Sequence, residues 1–366
     1  MPKVELREVT VKYGRKVALE DVNITIEDGS YSIIAGPTGA GKTTLLKAIC
    51  GLVPLARGRI LVDGKDITGI PPEKRGVGYL PQGYALFPHL DVWGNITFGP
   101  TSRGWDPRDI EVIARRILNM IGLIERADAY PHELSGGMAQ RVALGRAIAS
   151  GADLILLDEP LSALDVMLRI LLRYEIRKMA KALNLTVIHV THDQEEAMSI
   201  GDRIFVLREG KILEEGPPEK LFRAPENPFT AYFIGESNFY IGYADKGVVR
   251  IDGVELKSSS KLEGDVLVAI RTREVKICQA EERLTNSIRA SVEEIRFFGR
   301  VTKILLNVNG LRMVSELPTL RIEGLKKGDE VLINVDPEDV LLYRLETVEG
   351  YPEVKEVILN AGDRAR

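Results

Sequence analysis

The chain has 366 residues, 45% of them hydrophobic and 28% charged, which is ordinary globular composition with room for two domains at roughly 100–200 residues each. A net charge of −4 and a pI near 5.8 exclude a broad nucleic-acid surface, which needs clustered Lys and Arg to displace counterions. Apolar runs such as LILL at 154–157 fall short of the roughly 18–20 residues that cross a bilayer. No signal peptide is visible after Met1, and Cys50 and Cys278 lie far apart without metal-type neighbours, so the expected setting is reduced and cytoplasmic.

Residues 3 to about 35 read as strands, VELREVTVKY and then VNITIEDGSYSIIAG with a turn at Asp28–Gly29. The segment 42–50 predicts a helix stopped by Gly51, and GRILVDGKDI (58–67) a hairpin around Asp63–Gly64. Residues 107–150 are helical in pattern, with Ile113, Arg116, Ile117 and Met120 at helical spacing. After 153, strand and helix alternate through to about 215, which implies a parallel sheet with crossover helices. Proline and glycine crowd 214–229, and from about 239 short strand-like runs with an Asn309–Gly310 turn suggest a small barrel of OB type. Residues 346–366 are polar and read as a loosely held tail.

The strongest local signal is GPTGAGKTT: Gly36, Pro37, Thr38, Gly39, Ala40, Gly41, Lys42, Thr43 and Thr44. It matches G-x-x-x-x-G-K-[ST] and sits between an apolar strand and a helix, the context the motif requires. Its glycines let backbone N–H groups wrap phosphate, and the helix N-terminus adds partial positive charge. Lys42 is then placed for the β- and γ-phosphates and the Thr43 hydroxyl for Mg²⁺. LILLDEP (154–160) is an apolar strand ending in two carboxylates. Asp158 there can hold Mg²⁺ and Glu159 can take a proton from attacking water, the alternative being an acidic cap for the next helix.

TVIHVTHDQEEA (186–197) repeats the design. His192 is a candidate γ-phosphate contact, whereas His189 inside the strand reads as core. Asp193, Glu195 and Glu196 read as acids complementing the helix dipole. GVGYLPQ (76–82) is a further such strand, ending in Gln82. In open α/β sheets ligands bind beyond the carboxyl ends of the strands, and all these residues follow apolar runs. Tyr13 precedes Gly14 after the first strand; its ring can stack on adenine or simply be a half-exposed strand tyrosine. LSGGMAQRVALGR (134–146) opens a second glycine-softened helix start, with Ser135 as cap and Leu144, Ala147 and Ile148 facing a core.

In order, GPTGAGKTT, LPQ, LSGGM, LILLDEP, SALD (162–165) and THD (191–193) resemble the ATPase subunit of an ABC transporter over residues 1 to about 236. FIGESN (233–238) and the β-rich region after it resemble importer ATPases that carry a C-terminal OB-like barrel. The resemblance implies an α/β phosphate-loop NTPase cassette over 1–238 with a helical subdomain at about 86–150, an all-β OB-like regulatory barrel over 239–345, and a tail over 346–366. It implies ATP and Mg²⁺ as cofactors. Tyr13 would stack on adenine, and residues 36–44 would hold phosphate. Thr43, Gln82 and Asp158 would serve the metal, Glu159 would be the general base, His192 would steady the γ-phosphate, and Gln82 would reach the lytic water.

Ser135, Gly136 and Gly137 would face the γ-phosphate held by another copy, and Ser162 to Asp165 would communicate across that head-to-tail homodimer. The implied partners are membrane permease subunits, with YALFPHLDV (84–92) bordering the groove for a coupling helix, and indirectly an extracytoplasmic solute-binding protein; no nucleic acid is expected. The implied location is the cytoplasmic face of the membrane, held there by the permease. GESN (235–238) and VDPEDVLLY (335–343) lean towards polyamine or ferric iron as cargo over sugar, sulfate, molybdate or tungstate. The rival class is a soluble ABC ATPase outside transport. Met138, Gly145 and Thr38 depart from the common pattern without removing a catalytic group, and AIRTREV (269–275) departs from the usual barrel pattern, which puts ligand sensing there in doubt.

Overall fold

Three of the apolar runs read as strands, at 31–35, 154–158 and 186–191, are buried along their whole length. The computed structural model describes residues 1–278, 285–322 and 324–363. The chain opens with β1 (Val4–Tyr13), β2 (Lys16–Ile26), β3 (Tyr31–Ala35) and α1 (Lys42–Cys50), followed by β4 (Arg57–Val62) and β5 (Lys65–Asp66). Asp63 and Gly64 between the last two both have positive φ, as the expected two-residue hairpin requires. Next come β6 (Val77–Leu80), then α2 (Val92–Ser102), α3 (Pro107–Met120) and α4 (Gly136–Ala149). Strand and helix then alternate as β7 (Leu154–Asp158), α5 (Val166–Ala182), β8 (Thr186–Thr191), α6 (Gln194–Ile200), β9 (Arg203–Arg208) and β10 (Lys211–Gly216).

Two sheets result. One has six strands in the order β10-β9-β3-β8-β7-β6, parallel from β9 to β6, with β10 antiparallel at the edge. Every residue of β3, β7 and β8 is buried, as strands covered on both faces must be. The other is an antiparallel sheet, β2-β1-β4-β5, and Leu45, Leu46 and Ile49 of α1 join the core to which both sheets contribute. The helical region packs closely at Gly145, where an added Cβ would meet side-chain carbons of Ile96 and Ile117 at 2.7 Å. That close approach of α2 and α3 to α4 explains glycine at this position.

Contacts divide the chain into two compact units, Met1–Glu219 and Lys220–Arg366. After α7 (Pro218–Arg223) and α8 (Pro228–Phe233) the second unit is almost all strand: β11 (Ser237–Asp245), β12 (Val248–Ile251), β13 (Val254–Lys257), β14 (Gly264–Arg271), β15 (Lys276–Cys278), β16 (Ser287–Phe298), β17 (Val301–Val308), β18 (Leu311–Pro318), β19 (Glu330–Asn334) and β20 (Val340–Arg344). They form two five-stranded antiparallel sheets, β13-β12-β11-β14-β20 and β15-β19-β16-β17-β18, around one core that includes Val268, Ile270, Ile304 and Ile333. This β-rich region has the OB-like character expected, and Asn309–Gly310 turns β17 into β18.

Two features differ from the reading of the sequence. The segment 346–366 forms α9 (Pro352–Asp363), whose Val354 packs with Val348, Leu267 and Tyr343. Val354, Val357 and Ile358 recur at helical spacing, an apolar stripe that the polar composition conceals. Its last residues, 364–366, lie outside the described residues. The compact units also meet before 238/239, because Arg271 of the AIRTREV run ties residues 221–235 to the barrel. Its guanidinium donates to the carbonyls of Phe222 (2.9 Å), Ala231 (2.5 Å) and Gly235 (3.1 Å) and stacks over the Phe222 ring at 4.9 Å.

Removing that guanidinium leaves several buried carbonyls unpaired. Arg271→Leu is expected to destabilise the second unit by about 2–4 kcal/mol, measured by denaturant unfolding. A shift below about 0.5 kcal/mol would contradict the assignment.

Candidate active site

The strand order decides what meets at the sheet edge. The phosphate loop follows β3, His192 follows β8, Asp158 ends β7, and Gln82 lies two residues beyond β6; these four strands are consecutive neighbours. Their C-terminal ends point the same way because the strands are parallel.

The loop depends on tight backbone. A Cβ on Gly36 would lie 2.1 Å from the Leu207 carbonyl oxygen, so only glycine lets the loop leave β3 beside β9. Gly41 caps α1 at φ 108, a conformation that disfavours any side chain. Lys42 is buried, and its Nζ donates to the carbonyls of Gly36 (2.8 Å) and Pro37 (2.9 Å). Burial pushes its pKa down, opposed by the nearby Glu159 and Asp158 carboxylates. A cation held by two loop carbonyls is poised to exchange them for phosphate oxygens.

Asp158 is 1% exposed. Its Oδ1 accepts from the Thr43 hydroxyl at 3.1 Å, while Oδ2 is buried with no hydrogen-bond partner. Burial raises its pKa; the Thr43 hydrogen bond works against that shift, and the adjacent Glu159 charge adds to it. An orphaned buried carboxylate oxygen beside a threonine hydroxyl is a donor pair suited to a hard divalent cation. Among the described residues no cluster of three or more His, Cys, Asp and Glu forms a protein-only cage. Mg²⁺ commonly takes one or two carboxylates and completes its shell with substrate phosphates and water, a role that the Asp158–Thr43 pair would fit.

Glu159 joins the remaining polar groups. Its Oε1 lies 3.1 Å from His192 Nδ1, and Oε2 accepts from Gln82 Nε2 at 3.4 Å. The His192 side chain is half exposed, so it is open to a ligand from solvent. Tyr13 is 49% exposed at the end of β1 and makes no contact with these groups among the described hydrogen bonds and ring contacts. Ser135 accepts from the Met138 N–H at 3.3 Å as the N-cap of α4, and Gly136 faces open space. Asp165 caps α5 by accepting from Leu168 N–H at 3.0 Å.

Residues set aside as structural behave so. His189 is fully buried against the Tyr31 hydroxyl at 2.9 Å, and burial lowers its pKa. Asp193 caps α6 through the Glu196 N–H and pairs with Arg173 at 3.1 Å. Glu195 is exposed, whereas Glu196 is buried and accepts from the Thr191 hydroxyl, a stronger tie than a dipole contact.

Three polar residues escaped the motif reading, Gln140 and Asn95 buried and Arg146 half-buried. Gln140 links α4 to the peptide groups of Glu159 and Ala163. Arg146 donates to the carbonyls of Tyr84 (3.2 Å) and Ala85 (2.9 Å) and lies over the Phe87 ring at 4.7 Å. Asn95 accepts from the Phe87 N–H and donates to the carbonyls of Phe87 and Leu90. Together Arg146 and Asn95 hold the segment after Gln82 to the helical region. The one signal in the sequence is a polar residue at a position whose helical neighbours are apolar.

Known proteins share these features. The ABC transporter family profile matches residues 19–162. A spermidine/putrescine import ATP-binding protein, PotA, of Aggregatibacter actinomycetemcomitans is 44% identical over 65% of this chain, which spans 64% of that relative's length. A molybdate/tungstate import ATP-binding protein, WtpC, of Pyrococcus horikoshii is 36% identical over 87% of this chain and 93% of its own. An Fe(3+) ions import ATP-binding protein, FbpC, of Fusobacterium nucleatum subsp. nucleatum is 32% identical over 98% and 96%. Among solved structures, the dimeric bacterial ABC transporter cassette MJ0796 aligns with a TM-score of 0.55 and 29% identity, over 59% of this chain and 98% of that one. Its post-hydrolysis form with ADP and Pi aligns at 0.54 and 30%, with the same coverage.

Replacing Asp158 with Asn keeps an acceptor for Thr43 and removes a buried charge. Asp158→Asn is therefore expected to raise the ligand-free melting temperature by about 2–4 °C while abolishing Mg²⁺-dependent ATP turnover. An unchanged or lower melting temperature would contradict the orphaned carboxylate.

Proposed function

The chain belongs to the ABC transporter family, among its import ATP-binding subunits, and from that premise we propose that it is the ATP-hydrolysing motor of a solute importer. The observation that carries the reading is the convergence of Lys42, Asp158, Glu159, Gln82 and His192 at one edge of the parallel sheet. Lys42 leaves the carbonyls of Gly36 and Pro37 and binds β- and γ-phosphate oxygens, with loop N–H groups from 36–44 around them. Exposed Tyr13 offers its ring to the adenine. Thr43, Asp158 and Gln82 are the residues that would hold Mg²⁺. Held there, the ion would supply positive charge against the negative charge that develops on phosphoryl transfer.

Glu159 takes the proton of the attacking water. His192 and Gln82, both within reach of its carboxylate, orient that water and the γ-phosphate. The exposed start of α4 at Ser135, Gly136 and Gly137 offers N–H groups to an anion beyond this chain's own loop. It serves the ATP of a second copy in a head-to-tail homodimer, with Ser162–Asp165 at the junction.

Among the described residues no helix is long and apolar enough to cross a membrane, so coupling runs through permease subunits. The protein sits against them at the cytoplasmic face, and the solute-binding protein acts from the far side. The segment 84–92, braced by Arg146 and Asn95, is the surface a permease helix would press on. As cargo we favour a polyamine or ferric iron over molybdate or tungstate, sulfate and sugar, and the solute that stimulates ATPase activity in the reconstituted transporter decides among them.

Glu159→Gln tests the chemistry. A positioned base contributes roughly 10²–10⁴-fold, so turnover is expected to fall by at least about 10²-fold while ATP still binds and an ATP-bound dimer accumulates on size exclusion. Normal ATPase activity in that variant would remove Glu159 from its role.

A further inference from the structure

Gln140 sits one helical turn beyond Gly136 and Gly137 on α4, yet it is buried and bonded within its own chain. The side chain is 1% exposed, and both ends of its amide are used. Nε2 donates to the Glu159 carbonyl oxygen at 3.3 Å, and Oε1 accepts from the Ala163 N–H at 3.2 Å. A buried amide paired at both ends is costly to disrupt, since each abandoned partner keeps its desolvation penalty.

The peptide it grips is unusual. Glu159 has φ 50, a left-handed conformation that non-glycine residues seldom adopt and that persists only where the surroundings enforce it. Enforcement comes from three sides. Its N–H donates to the Val190 carbonyl at 3.0 Å, and its carbonyl accepts from the Ser162 hydroxyl at 3.1 Å as well as from Gln140. Of these ties, the one from Gln140 is made by the helix whose first turn carries Ser135–Gly137. A backbone rotation at Glu159 would swing its carboxylate away from His192 and Gln82.

We infer that Gln140 is a positioning residue for the general base: it sets the backbone of Glu159 and thereby aims the carboxylate at the lytic water. The inference rests on the ATPase reading above. It places on one helix a first turn that serves the partner's ATP and, four residues on, a side chain that serves this chain's own. The two bonds, at 3.2 and 3.3 Å, are long enough to tighten when α4 closes on nucleotide.

The test uses the full chain with MgATP and a double-mutant cycle. Gln140→Leu removes both bonds. Gln140→Met removes both bonds in a side chain of similar length that buries no charge, and a melting curve on each variant guards against a simple failure to fold. Both variants are expected to lower kcat by about 5–20-fold with equilibrium ATP affinity within about twofold. In the Glu159→Gln background, where no base remains to be aimed, adding Gln140→Leu is expected to cost nothing further. Either of two results would overturn the inference: kcat within about twofold of the parent for both variants, or an equal loss from Gln140→Leu with and without Glu159. Normal turnover in Glu159→Gln alone would instead sink the reading of the base, independently of Gln140.

Discussion

A buried carboxylate organises this protein. Asp158 ends the fully buried β7, with one oxygen held by Thr43 and the other unsatisfied. Burial raises its pKa and lowers that of Lys42, so the folded cassette carries two charged groups in surroundings that disfavour their charged forms. On the function proposed above, phosphates and a divalent cation would relieve both at once. The ligand-free site is thus held short of electrostatic balance, a common cost of function in a rigid scaffold. What keeps it assembled is the parallel sheet, whose neighbouring strand ends cannot separate without breaking the ladder.

Much of this was legible from residue order. The phosphate loop announces itself through glycine spacing and a flanking strand and helix, and each site residue follows a short apolar run. What the sequence did not display is long-range pairing. That β1 and β2 form a separate antiparallel sheet with β4 and β5 depends on which edges meet in space. Gln140, Arg146 and Asn95 escaped because an inward-turned polar side chain on a helix looks like any surface residue until its carbonyl partners are known. The carbonyls that Arg271 binds lie well upstream along the chain, and α9 hides three apolar residues among charges. In each case the missing information was a partner distant in sequence.

The second unit shows how little of a β domain's role is visible in its core. Its two sheets bury an ordinary apolar interior, and Arg271, in the run that departs from the usual barrel pattern, is spent on holding chain segments together. The cassette, by contrast, leaves polar groups on offer at two places: the sheet edge, and the exposed start of α4. On the function proposed above, the start of α4 serves the ATP of a second copy, which is the physical sense of two half-sites in one chain.

Mixing two crippled chains tests that claim most directly. Lys42→Ala disables the loop half and Ser135→Arg blocks the helix half, so each homodimer should be inactive. A mixed dimer combines both lesions in one site and leaves the other intact. The account predicts that mixing restores ATPase activity, up to about half of the parental rate per mixed dimer if the two sites turn over independently. No recovery from folded, ATP-competent mixtures that demonstrably form mixed dimers would contradict the shared site.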